Sequence, residues 1–339
     1  MPGEWNEALI REGGVLVNEE IAHYGHVATE LAAAAHGSVT AALSHLAIIR
    51  ARGAEATTFL QGQLSNDIKA LGHGSQLSGY CTAQGRLLAI FRILADGDDY
   101  LLVLPRALIA SVLKRLKMYV LRAKVTLEEE TGWSILGVSG HPLSLPAPLP
   151  VPDLGLVAAT DGFLLARIPA AGGERCWILG PSPRIHNLWA AVPPGEKVGA
   201  KAWRWLDIRA GIPEITPSTS EAFVPQMVNL DLLGGISFQK GCYPGQEIVA
   251  RMHYLGRLKQ RMYAASLAVP APPEPGTPLQ ATNLPGQPAG HVVSAETGPD
   301  GNVALLVVAQ ISSHDEALVS YDGTPLQFTE LPYPLAASS

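Results

Sequence analysis

Two proline-rich stretches set the first limit on how this chain can fold. Pro142–Pro152 holds five prolines and no charge, and Val269–Pro278 holds five prolines in ten residues. Proline gives no backbone N–H and clashes with the preceding helical turn, so neither stretch can form a helix interior or a central strand. The first reads as an extended connector. The second reads as the strongest boundary and divides the 339 residues into 1–262 and 263–339. A chain of this length accommodates two or three domains of about 100–200 residues each.

Hydrophobic periodicity fills in the segments. His45–Arg50 is a short apolar run ending near Gly53, so a strand is predicted, followed by a helix over Ala54–Leu71. In that helix Leu60, Leu64, Ile68 and Leu71 fall at i, i+4, i+8 and i+11. Gly62 stands inside it and costs about 1 kcal/mol against alanine. Leu77–Thr82, Leu87–Leu94 and Tyr100–Leu104 are strand-like, the last two joined by a hairpin signal at Ala95–Asp99. Pro105 opens a second helix with a stripe of Ile109, Val112, Leu113 and Leu116. Lys124–Glu128 and Trp133–Val138 read as strands. This order predicts an α+β fold, with helices on one face of a mainly antiparallel sheet.

Beyond the first connector, Phe163–Ile168 and Cys176–Leu179 predict a hairpin. Ser182-Pro183 reads as an N-cap and first-turn proline for a helix with Ile185, Leu188, Trp189 and Val192 inward. Ala202–Ala210 is a helix stopped by Gly211 and Pro213, and its Trp203 and Trp205 are core candidates. After Pro278 the pattern is β throughout: His291–Ala295, Val303–Val308, Ala317–Tyr321 and Leu326–Phe328, with a turn at Pro299-Asp300-Gly301. A small C-terminal β-barrel or sandwich is expected.

Composition excludes several classes of function. Hydrophobic residues make up 47% and charged residues 16%, which argues against disorder over most of the length. Lysine plus arginine number 24 against 30 acidic residues, net −6. That rules out a basic field over the whole surface and leaves room only for a local basic patch. The longest apolar runs, Leu31–Ala35 and Val303–Ala309, are far below the roughly 20 residues of a membrane-spanning helix. The N-terminus is acidic and lacks the features of a signal or transit peptide, so a cytoplasmic location is expected. The three cysteines, Cys81, Cys176 and Cys242, form neither a disulfide framework nor a CxxC pair.

The chemistry concentrates in Phe238–Met252. Tyr243-Pro244-Gly245-Gln246 has proline and glycine at the two central positions, the signature of a type II turn, and Gln246 starts a helix. Cys242 thus lies just before a helix N-terminus and two residues after Lys240. Both neighbours favour a thiolate, which is the environment of a reactive cysteine. The alternative is a small buried hydrophobe, the usual state of a free cysteine and the one expected of Cys81 and Cys176. Glu247 stands in the first helical turn, where it can pair with Arg251 at i+4.

Lys240-Gly-Cys-Tyr-Pro-Gly-Gln-Glu247 resembles the K-G-C-Y-x-G-Q-E signature of the YgfZ family of folate-binding proteins, relatives of the aminomethyltransferase of the glycine cleavage system. Phe59–Asp67, Gln84-Gly85-Arg86, Arg209–Pro213, Phe223–Gln226, Asn229-Leu230 and Gly234–Phe238 are similar to the same pattern, so the resemblance covers roughly residues 45–265. It implies an aminomethyltransferase-like fold of three domains in a ring, with a ferredoxin-like subdomain at about 45–140 and a terminal β-barrel. It implies a monomer that binds tetrahydrofolate and supports iron–sulfur cluster assembly or repair, including clusters of tRNA-modifying enzymes. Partners would be iron–sulfur proteins, with no direct contact to nucleic acid or membrane and no resident metal. Cys242 and Lys240 become the reactive pair. Asn66, Asp67, Arg86, Arg209, Gln226, Asn229, Tyr243, Gln246 and Glu247 become candidates for the folate site.

Each candidate also has a purely structural reading. Asn66-Asp67 can cap a helix end, Arg86 can be solvated, and Arg209 can pair with Glu214 across Gly211–Pro213. Gln226 and Asn229 can match a pterin edge or tie loops, and Tyr243 can serve the turn alone. The chain departs from the transferase pattern where that enzyme carries paired acids, since Ala89 and Ile90 stand there, and Arg209 replaces an acid. Folate-dependent aminomethyl transfer or demethylation, the alternative activity, would then lack its general acid or base.

Overall fold

The computed structural model describes residues 2–140, 155–254, 256, 258–316 and 318–335. The whole of the connector Pro142–Pro152 lies outside these. The fold is mixed α+β, as expected, with predominantly antiparallel sheets. A six-stranded sheet runs in the order Val157–Thr160, Phe163–Ile168, Arg175–Pro181, Trp133–Ser139, Val39–Ala42, Lys197–Val198. A five-stranded sheet runs Ser75–Cys81, Leu87–Asp96, Asp99–Pro105, Leu46–Arg52, Thr126–Glu129. A seven-stranded sheet runs Thr324–Pro325, Val319–Tyr321, Pro278–Ala281, Gly290–Thr297, Val303–Gln310, Gln260–Leu267, Gln327–Thr329. Its two edge strands are separated in the chain by Leu326 alone, so the sheet is a nearly closed barrel. Closure removes most of the unpaired edge that an open sheet would present.

The chain divides into two compact units interleaved along the sequence. The first comprises Met1–Phe59, Ala70–Gln76 and Arg92–Leu206, and the second Leu60–Lys69, Leu77–Phe91 and Asp207–Ser339. In the first unit the predicted hairpins are present. Asp96 pairs with Asp99 around Gly97, and Phe163–Ile168 pairs with Arg175–Pro181. Trp203 is fully buried over Gly137, with the Arg175 guanidinium 4.3 Å from its ring centroid. Both it and Trp205 are core residues.

Two local expectations are corrected. The helix predicted over Ala54–Leu71 spans only Ala56–Gln61, and a single 3₁₀ turn follows at Ile68–Ala70. Beyond Gly62, side chains offer the backbone other partners. Ser78 Oγ accepts from the Asn66 N–H, and the Gln61 side chain from the Ile68 N–H. The helical spacing still marks the core, because Leu60, Leu64, Ile68 and Leu71 are all buried. Ser182 begins its helix but makes no side-chain cap, its hydroxyl donating instead to the Gly132 carbonyl at 3.0 Å.

The first unit carries one strongly perturbed histidine. His45 is buried and its Nδ1 has no partner. Burial, aided by Arg204 and Arg106 and opposed by Glu20, pushes its pKa down from 6.5 to about 4. The unfolded chain then binds a proton below 6.5 that the folded chain refuses. Stability from this group is complete above 6.5 and is lost as pH falls toward 4. A loss of roughly 2–3 kcal/mol is expected across that window in urea unfolding, and His45→Gln should flatten it.

Candidate functional site

The Cys242 loop belongs wholly to the second unit, and its local geometry follows the sequence. Gly245 has φ +80, and the Gln246 N–H donates to the Tyr243 carbonyl at 3.1 Å, so the turn is type II. The helix Gln246–Tyr254 follows. Cys242 is exposed, whereas Cys81 and Cys176 are buried. Burial pushes both of those thiols up to about 12, in Cys176 with help from Glu174. Of the three cysteines, the accessible sulfur is the one in the loop.

What fixes the loop is Lys240. This residue is 8% exposed, and its ammonium donates to Gln61 O at 2.6 Å, Asn66 O at 3.1 Å and Leu64 O. It also lies 5.1 Å from the centroid of the Tyr243 ring. Burial lowers its pKa to about 8, with Asp67 opposing, so the ammonium is charged at neutral pH. The sequence suggested a cation that serves the sulfur. The structure commits all three donors to the last residue of the helix Ala56–Gln61 and to the irregular stretch that follows it, where carbonyls have no helical N–H to accept from.

The opposite wall of the loop is a second turn. The Thr82 N–H donates to the Arg86 carbonyl at 2.8 Å, and the Gly85 N–H to the Thr82 carbonyl at 3.0 Å. A Cβ on Gly245 would lie 2.5 Å from Thr82 O and 2.6 Å from both Gly85 N and Gly85 Cα. Two glycines thus let two backbones touch, and Gly85 (φ +71) returns the fit against Ile248. Tyr243 is buried, and burial near Cys81 raises its phenol pKa.

The remaining candidates mostly hold this framework together. Asn66 Nδ2 donates to Leu77 O at 2.8 Å and Gly234 O at 2.7 Å, while Asp67 Oδ1 accepts from Gln61 Nε2 and the Lys69 N–H. Asn229 takes a left-handed φ of +59 and is fully buried, donating to Met262 O and to the Tyr333 hydroxyl. Exposed Arg86 donates to Ala222 O at 2.7 Å. Arg209 is exposed at the end of its helix, and Gln246 reaches the Lys240 carbonyl at 3.4 Å. Glu247 is exposed, and the ion pair expected with Arg251 is not among those of the described residues, since both side chains extend into solvent. Gln226 differs from the rest. Its Nε2 donates to Val249 O at 2.7 Å, but its Oε1 is buried without a partner.

Sequence reading missed two parts of the site. Ser65, fully buried, accepts from the Gly79 N–H and donates to Gly235 O at 2.6 Å, joining three distant segments. Phe238 and His253 stack at 3.8 Å between centroids, with Tyr254 edge-on, beside the cysteine loop. Ser65 and Phe238 sit inside the quoted motifs, which was the available signal.

No protein-family model matches the chain. It is 32% identical over 305 residues to the tRNA-modifying protein YgfZ of Edwardsiella ictaluri, covering 84% of this chain and 89% of that one. It is 30% identical over 306 residues to YgfZ of Escherichia coli O7:K1, covering 86% and 92%. With YgfZ of Colwellia psychrerythraea it shares 33% over 242 residues, covering 68% and 72%. Among solved structures, the glycine cleavage system aminomethyltransferase T from Bartonella henselae superposes with a TM-score of 0.77, covering 98% and 97% of the two chains at 18% identity. That likeness establishes an aminomethyltransferase-like fold. The loop, the turn packed beneath it and these relatives lead to one assignment: the chain belongs to the YgfZ family of tRNA-modifying proteins.

Proposed function

We propose that this chain is a tetrahydrofolate-binding accessory protein, acting as a monomer in the cytoplasm, that supports iron–sulfur cluster assembly or repair, including clusters of tRNA-modifying enzymes. Cys242 supplies a transient thiolate ligand. One thiolate cannot hold a cluster, so the other ligands come from a partner protein or an external thiol. The observation that carries this reading is that Cys242 is the exposed cysteine of three, on a loop braced by a buried Lys240. Folate finds one matching group among the candidates. Gln226 Oε1, a buried acceptor short of a donor, would be satisfied by a ligand N–H. Bound folate would supply a one-carbon carrier. Ala89 and Ile90 are buried and offer no carboxylate, which disfavours aminomethyl transfer.

In native protein, iodoacetamide is expected to label Cys242 and to spare Cys81 and Cys176 until denaturant is added, as read by peptide mass mapping. Cys242→Ala should unfold within about 0.5 kcal/mol of wild type, because the side chain is exposed. It should keep calorimetric tetrahydrofolate binding and fail to complement a strain lacking its own YgfZ. Full complementation by that variant would refute the thiol's role, and absence of saturable folate heat would refute the ligand.

A further inference from the structure

A local basic patch, left open by composition, is present in the first unit. Residues 114–124 read KRLKMYVLRAK, with five cations and no acid, in a chain of net charge −6. No ion pair within 4.0 Å among the described residues involves Lys114, Arg115, Lys117, Arg122 or Lys124. Four of them are exposed, and half-buried Arg115 leaves its Nε without a partner. The carboxylate that touches the segment, Glu55, accepts from the Lys124 backbone N–H at 2.6 Å.

Apolar side chains stand among these cations. Met118 is 58% exposed, Tyr119 44% and Leu121 88%. Leu121 also takes φ +47, a left-handed conformation that side chains with a Cβ rarely adopt. The helix Ile109–Met118 buries Ile109, Val112 and Leu116, so Lys114, Lys117 and Met118 are left for solvent. The tip is ordered by the Tyr119 N–H to Leu116 O at 3.0 Å and the Ala123 N–H to Val120 O at 2.8 Å. A strained leucine held outward among unpaired cations contributes nothing to the core, and such features mark contact surfaces.

The occupant must carry dense negative charge and also offer flat apolar faces. RNA with accessible loops does both, presenting phosphates to lysine and arginine and unstacked bases to Tyr119, Leu121 and Met118. An acidic protein would have to gather several carboxylates round three exposed apolar side chains. A bilayer anchor ordinarily brings a longer apolar face than three side chains. We propose that residues 114–124 form an RNA-docking surface. This revises the expectation of no direct nucleic-acid contact and does not depend on the Cys242 reading.

The test is fluorescence anisotropy of end-labelled unfractionated tRNA with the full chain. Affinity is expected to fall roughly 30–100-fold between about 50 and 200 mM salt, as release of counterions from three or four phosphates requires. A Lys114→Glu, Lys117→Glu, Arg122→Glu variant should bind at least about 30-fold more weakly at the lower salt. Leu121→Gly should weaken binding about 5-fold and leave the salt slope unchanged. Circular dichroism and melting of these surface variants check that they fold. The proposal is overturned by absence of tRNA binding at low salt, or by equal binding of wild type and the triple variant. It is also overturned if phosphatidylserine vesicles, and not tRNA, retain wild type and release the triple variant.

Discussion

A Lys240→Met protein is expected to lose roughly 3–5 kcal/mol of stability, seen as a large fall in the urea midpoint. Methionine fills a similar volume but leaves the carbonyls of Gln61, Leu64 and Asn66 without their donor. Each orphaned acceptor costs on the order of 1–3 kcal/mol when water cannot reach it. Part of the sum is recovered, because burying the ammonium is itself unfavourable and its pKa is already lowered to about 8. Lys240→Arg should not rescue fully, since a planar fork cannot copy three converging donors. If Lys240→Met unfolded like wild type, Lys240 would not be the brace of this loop, and a role directed at the sulfur would regain ground.

Gly245→Val is expected to cost about 4 kcal/mol or to leave the cysteine loop unable to close. Two penalties act together. A β-branched residue at φ +80 pays roughly 1–2 kcal/mol for the left-handed backbone. Its Cβ would also press against Thr82 O and Gly85 at 2.5–2.6 Å, and these are backbone atoms that cannot swing aside. Gly245→Ala meets the same clash and should lose more than half as much. The loosened loop should show as faster proteolysis near Cys242 than in wild type. Unchanged stability in both variants would mean that the two turns do not press together.

How much of this was legible beforehand varies by element. The C-terminal strands were readable because alternation and turn residues are local, and Gly301 (φ +83) turns where Pro299-Asp300-Gly301 predicted. The helix over Ala54–Leu71 misread a true core stripe, because its four leucine and isoleucine positions are buried without continuous helix between them. Periodicity reports which side chains face inward, and side-chain hydrogen bonds from Asn66 and Gln61 then decided the backbone path. The amides chosen as ligand contacts make hydrogen bonds within the chain, and an asparagine that binds a carbonyl looks in sequence like one that binds a pterin.

Sequence by itself determined the turn at Tyr243–Gln246, the helix start behind it and the place of Cys242 just ahead of both, because proline and glycine set those dihedrals within four residues. Tertiary structure alone decided where the Lys240 ammonium goes and what Gly245 touches. Its partners are backbone carbonyls and a turn some 160 positions earlier, and backbone groups are chemically the same in every residue, so they leave no mark in the order of side chains.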